Sequence, residues 1–211
     1  MRNFCIVEGL GLRVDPTDAL IDLQLEQSAS LKKPRERISR IAIAPGSVWR
    51  TKRWSTAGFV DLSRLLIDSG MELVLIGGPA DAPVAARICS SLPAGAPVEN
   101  LVGKLTLRES AKVIEAAGFL ISNDTAPLHL ASATGTPAVA VFCATIPEFG
   151  FTPWNIPHRI VGRRDLSCRP CGRHGGNDCP TGTHLCRRGI PASVVMAAVN
   201  ELFQEIGENA A

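Results

Sequence analysis

The chain has 211 residues, 45% of them hydrophobic and 20% charged, and its 22 basic side chains nearly cancel 20 acidic ones to leave a net charge of +2. That length buries about two thirds of the unfolded surface, so a core forms without disulfides, and the apolar fraction and the unperiodic 19 glycines exclude a disordered chain and a collagen. Neither a whole-protein nucleic-acid field nor a membrane span is indicated, because the charges balance and the longest apolar runs, such as 137–142, fall far short of about 20 residues.

The first 40 residues read as an irregular lead-in, with scattered charges, Pro16 and Pro34, one short strand near 20–25, and a basic run at 32–37 that fits a solvated segment. The apolar patch at 4–7 is cut by Glu8, so it is no signal peptide. The expected location is therefore the cytosol, with seven reduced cysteines. Regular patterning starts at 41–44, a buried-type strand ended by Pro45 and Gly46. Ser55 or Thr56 can cap a helix with Phe59, Leu62, Leu65 and Leu66 inward and Gly70 as its stop. A strand at 72–76 is closed by Gly77, Gly78 and Pro79, and a helix runs over 81–91. A weak strand lies at 100–102. Thr106 and Glu109 fit a capping box ahead of a helix with Leu107, Ala111, Ile114 and Ala117 inward. A strand at 119–122 turns through Asn123, Asp124 and Thr125 into a helix reaching 133, stopped by Gly135. Strands at 137–142 and 158–161 and a last helix opened by Pro191, with Val195, Ala198, Val199, Leu202 and Ile206 inward, complete the pattern.

About five alternations of apolar strand and amphipathic helix predict an α/β fold, a Rossmann-like parallel sheet covered by helices on both faces. Such sheets bind ligands beyond the carboxyl ends of their strands. The loop after 44 offers Ser47, Thr51, Arg50, Lys52 and Arg53 where an anion would sit, and it reads equally as a solvated loop with Trp49 and Trp54 as lids. The loop after 76 offers Asp81, either a ribose acceptor or a plain helix cap. The loop after 122 places Asp124, Thr125, free backbone N–H groups and His129 at a helix start, which reads as an anion site or as a cap beside a core histidine. Jointly the three loops present phosphate ligands, a ribose acceptor and a polar cluster for a further hydroxylated group, the set a nucleotide-sugar needs. No D-x-D is present, so a leaving diphosphate would be stabilised by Lys52, His129 and helix dipoles with no metal required for transfer.

The strings PGSVWRTKRW, LVLIGGPAD, NLVGKLTLRE and ISNDTAPLHLASATGTPAVAVF, in that order over about 41–190, resemble the C-terminal half of glycosyltransferase family 9, the ADP-heptose:lipopolysaccharide heptosyltransferases. The resemblance implies the C-terminal domain of a GT-B fold, with a donor-binding domain over 41–211 and 1–40 as the segment joining two domains. It implies an ADP-sugar donor and heptose transfer to the lipopolysaccharide inner core. Catalytic roles fall on Lys52, Asp124 and His129. Donor contacts fall on Ser47, Lys52 at the diphosphate, Asp81 at the ribose, Leu105 at the adenine, Asp124 at the sugar hydroxyls, and Thr125, Ala126 and His129 at the phosphates. Ala126 stands where the family commonly has glycine. The acceptor and its general base are expected from an N-terminal domain that this chain lacks, so it would bind donor and transfer poorly alone. The alternative is a non-catalytic nucleotide-sugar binding module or half of a split enzyme.

A cysteine-rich loop at 165–188 holds Cys168, Cys171, Cys179 and Cys186, compatible with a structural tetrahedral zinc site or with reduced thiols and no metal. Cys5, Cys89 and Cys143 read as small core residues. Seven arginines against two aspartates over 159–188 suit either a solvated face or a peripheral contact with the anionic inner-membrane surface or a phosphorylated lipid acceptor. No nucleic-acid partner is expected.

Overall fold

The computed structural model describes residues 39–208; the short strand near 20–25, the basic run at 32–37 and Cys5 lie outside the described residues. Six parallel strands form one sheet: β1 (Arg40–Ala44), β2 (Glu72–Leu75), β3 (Val98–Asn100), β4 (Phe119–Asn123), β5 (Ala138–Val141) and β6 (His158–Val161). They lie in the order β3-β2-β1-β4-β5-β6, with register pairs such as Ile43 with Leu75 and with Ile121. The order reverses between β1 and β4, and in open α/β sheets this switch point is where a crevice opens.

Parallel strands need cover on both faces, and alternation along each strand sorts the residues into two cores. Ile41, Ile43, Leu73, Leu75, Phe119 and Ile121 pack on one side against α1 (Thr56–Asp68), α2 (Ala82–Ser90) and a long C-terminal helix, α6 (Ala192–Glu208). Ala42, Ala44, Val74, Leu120, Ala138 and Ala140 face α3 (Leu107–Ala116) and α4 (Ala126–Thr134) on the other. A one-turn helix, α5 (Leu185–Arg188), ends the cysteine-rich loop and was not anticipated from the sequence.

Local chemistry sets the helix starts. Ser55 caps α1 by accepting from Gly58 N at 3.0 Å. The capping box at α3 is complete, with Glu109 N donating to Thr106 Oγ1 at 3.2 Å and Thr106 N to Glu109 Oε2 at 2.7 Å. Two expected core positions are instead exposed: Leu65 at 38% and Leu107 at 67%. Leu107 is the first residue of α3, where the stripe has not yet turned inward. Trp54 is no lid; it is 2% exposed and donates Nε1–H to Ile190 O at 3.0 Å. Among the described residues no helix is long and apolar enough to cross a membrane.

Candidate functional site

The loops after β1, β2 and β4 meet at the switch point and line an open cleft of about 510 Å³, with Leu105 and Leu107 beyond β3 as its apolar wall. Ser47, Asp81, Leu105, Thr125 and Ala126, all expected at the site, line it. Ser47 is buried, and its carbonyl accepts from Arg53 Nε at 2.6 Å, which holds a cation in the cleft wall. Asp81 stands at the start of α2 without a side-chain capping bond to it; its Oδ2 instead reaches back across the 3₁₀ turn Pro79–Asp81 to accept from Gly78 N at 3.0 Å, and the residue borders the cleft. The β1 and β2 loops approach so closely that a Cβ on Gly46 would lie 2.1 Å from Asp81 Cγ. Only glycine admits that contact. Ala126 is in the first turn of α4, a helical position that makes no demand for glycine, and its methyl forms part of the cleft surface.

Beside the cleft Lys52 leaves a single 3₁₀ turn (Arg50–Lys52) and meets Asp124 at the end of β4, Nζ to Oδ2 2.6 Å, with side chains 11% and 3% exposed. Thr145, fully buried in the turn after β5, donates Oγ1–H to the same oxygen at 2.7 Å. Lys52 Nζ also lies 5.9 Å from the ring centroid of Phe151, which in turn faces the His174 ring. A buried pair of this kind is poor evidence for stability, since desolvation offsets much of the attraction. It does fix a cation and a carboxylate in one geometry next to the cleft.

Asn123 ties the loops together. Its Oδ1 accepts from Trp54 N at 2.8 Å, and its Nδ2 donates to Pro45 O at 2.8 Å and Gly46 O at 3.1 Å. Both amide protons and the carbonyl are thereby used in a fully buried setting, and the orientation of the carboxamide follows from those three partners.

His129 does not join this group. It lies in the first turn of α4 as expected, but it is exposed and neither lines the cleft nor bonds to the Lys52–Asp124 pair. Nor do the cysteines assemble as a zinc site. Cys168, Cys171, Cys179 and Cys186 are free thiols, and among the described residues no group of three or more Cys, His, Asp or Glu is arranged to hold a metal ion. Their hydrogen bonds stay within the loop: Cys171 Sγ donates to Cys168 O at 3.5 Å, and Cys179 Sγ accepts from His184 N at 3.4 Å. The Thr181 hydroxyl beside Cys179 and the His184 amide bring its thiol down to about 7, whereas burial pushes Cys143, Cys171 and Cys186 up. Cys143 and Cys186 belong to the core and Cys89 packs against it. The residues that sequence reasoning missed are Thr145, Phe151 and the loop residues that hold them; position in the rim loop after β5 was the one available signal.

The profile of glycosyltransferase family 9 (heptosyltransferase) matches residues 5–177. Lipooligosaccharide heptosyltransferase 2 of Campylobacter jejuni (serotype O:2, strain ATCC 700819 / NCTC 11168) is 28% identical over 188 residues, 86% of this chain and 57% of that protein. Lipopolysaccharide heptosyltransferase 3 of Escherichia coli is 33% identical over 171 residues, 77% of this chain and 46% of its own length. In three dimensions the ADP-heptose lps heptosyltransferase II of E. coli superposes with a TM-score of 0.68 at 24% identity, covering 83% of this chain and 48% of that one. The chain thus spans about half the length of the relatives it matches. With the profile covering most of the sequence, the rim that binds Lys52 to Asp124 is set in a chain that belongs to glycosyltransferase family 9, the heptosyltransferase family.

Proposed function

We propose that this domain is the donor-binding, C-terminal half of a GT-B heptosyltransferase that takes heptose from ADP-heptose to the lipopolysaccharide inner core at the cytoplasmic face of the inner membrane. The observation that carries the reading is the cleft at the β1–β4 switch point with the Lys52–Asp124 pair beside it. Adenine lies against Leu105, the ribose hydroxyls reach Asp81, and the diphosphate lies among Ser47, Arg53, Lys52 and the backbone N–H groups of Thr125 and Ala126. Asp124 faces the sugar hydroxyls. As the anomeric bond breaks, negative charge grows on the departing ADP. Cations and amides already fixed in place meet it without reorganising, which favours the transition state over the ground state. An acceptor hydroxyl must then approach in line with the breaking bond, deprotonated by a base from outside the described domain.

Calorimetric titration of the full chain with ADP and with UDP tests the reading. The expected result is preference for ADP, loss of ADP binding in K52A, and, in a separate titration with ADP-heptose, loss of the sugar-dependent affinity in D124A. A chain that binds neither nucleotide, or whose affinity for these ligands is indifferent to both substitutions, overturns it.

A further inference from the structure

The cysteine-rich loop meets the charge pair at two points. At the first, Thr51 N and Oγ1 both donate to Gly176 O, at 2.9 and 2.8 Å, and Gly176 N donates back to Thr51 Oγ1 at 2.8 Å. Gly175, with φ of 73°, is so close that a Cβ there would sit 3.1 Å from Lys52 Cγ and 2.8 Å from Thr51 Oγ1. The loop therefore rests on the stem of the lysine.

At the second point Arg169 reaches under the turn after β5. Its Nη2 donates to Phe142 O at 3.0 Å and Thr145 O at 2.5 Å, and its Nη1 donates to Arg163 O. Its Nε is buried and without a partner among the described residues. The planar guanidinium holds its donors in a rigid fork that reaches separated carbonyls in a fixed geometry, which a single rotating ammonium group does not reproduce. The clamp fixes the backbone of Thr145, and the single proton of the Thr145 hydroxyl goes to Asp124 Oδ2, the oxygen that Lys52 also holds. With both contacts on one oxygen, the rotation of the carboxylate is set and Oδ1 is presented in one direction.

We propose that Thr145 and Arg169 are positioning residues for the donor sugar: Arg169 holds the turn after β5, and Thr145 holds Asp124 so that its second oxygen meets a sugar hydroxyl. The inference rests on the donor reading above. It gives the cysteine-rich loop a role in the site through its arginine and its backbone, independent of any metal.

The test is calorimetric titration of the full chain with ADP and, separately, with ADP-heptose. T145V keeps the shape of the side chain and removes the proton. It is expected to bind ADP within about twofold of wild type and to lose about tenfold for ADP-heptose, as one missing hydrogen bond to a charged group implies. T145S restores the proton and is expected to recover the sugar-dependent affinity, while R169K shifts in the same direction as T145V and carries the test should T145V not fold. Unchanged affinity of T145V and R169K for ADP-heptose overturns the inference, as does an equal loss for both nucleotides. Wild type that binds neither nucleotide defeats the donor reading and this inference with it; wild type that binds both, beside variants that match it, defeats this inference alone.

Discussion

Removing one side of the buried charge pair gives the sharpest energetic expectation. In K52M the Asp124 carboxylate, 3% exposed, keeps Thr145 and loses its cation. Opposite charges about 4 Å apart attract by about 4 kcal/mol at an effective dielectric of 20, and stripping the partner from a buried charge typically costs about 3–5 kcal/mol. Against a total stability of about 5–15 kcal/mol that is a large share. D124N is expected to cost less, because the strand-end carboxylate cannot move while the lysine, on a flexible four-carbon stem, can carry its ammonium to solvent. The double variant K52M/D124N should therefore be more stable than K52M alone. Urea unfolding monitored by circular dichroism measures all three, with the slope checked for constancy. The reasoning fails if K52M loses under about 1 kcal/mol, or if the double variant is no more stable than the single.

The other expectations concern the loops around the cleft and the thiols. In G46A the new methyl runs into the Asp81 carboxylate, so unfolding should show a loss of about 1–3 kcal/mol, reduced when D81A is added; an undiminished loss in the double variant would place the clash elsewhere. N123A removes three buried bonds and should cost about 2–4 kcal/mol by the same denaturant assay. Cys179, held near 7, is half thiolate at that pH. Its iodoacetamide labelling should rise steeply between about pH 6 and 8, ahead of the buried Cys143, as peptide mass mapping at several pH values can read out; earlier labelling of Cys143 would contradict the burial.

Much of the fold was legible because its signals are local. Apolar runs marked the strands, and Ser55, Thr106 and Glu109 cap the helices as their spacing predicted. Misplaced boundaries have local causes too. The chain enters α2 through a 3₁₀ turn at Pro79–Asp81, and the third strand ends earlier because Asn100 Oδ1 takes Val102 N at 3.1 Å and bends the backbone. Rim-loop position made visible the residues that the fold brings to the cleft, Ser47, Asp81, Leu105, Thr125 and Ala126, and the Lys52 and Asp124 that pair beside it. His129 is exposed and outside the cleft lining, because sharing a helical turn with the cleft does not decide which way a side chain points. Thr145 and Arg169 carry no local pattern: they act across sequence separations of 21 and 24 residues, which only the folded chain brings together.

The Asn123 carboxamide has a mechanical consequence for the rim. It sews the backbone on either side of the Lys52 turn to the end of a central strand, while Trp54 pins the far end of that turn to Ile190. Swinging this segment would require breaking several enclosed bonds at once, so it behaves as a rigid jaw, and closure around a guest falls to the opposing glycine-bearing loop or to a body approaching from beyond the sheet. Slow amide exchange at Trp54, unaltered by nucleotide, is the signature of such a stationary jaw.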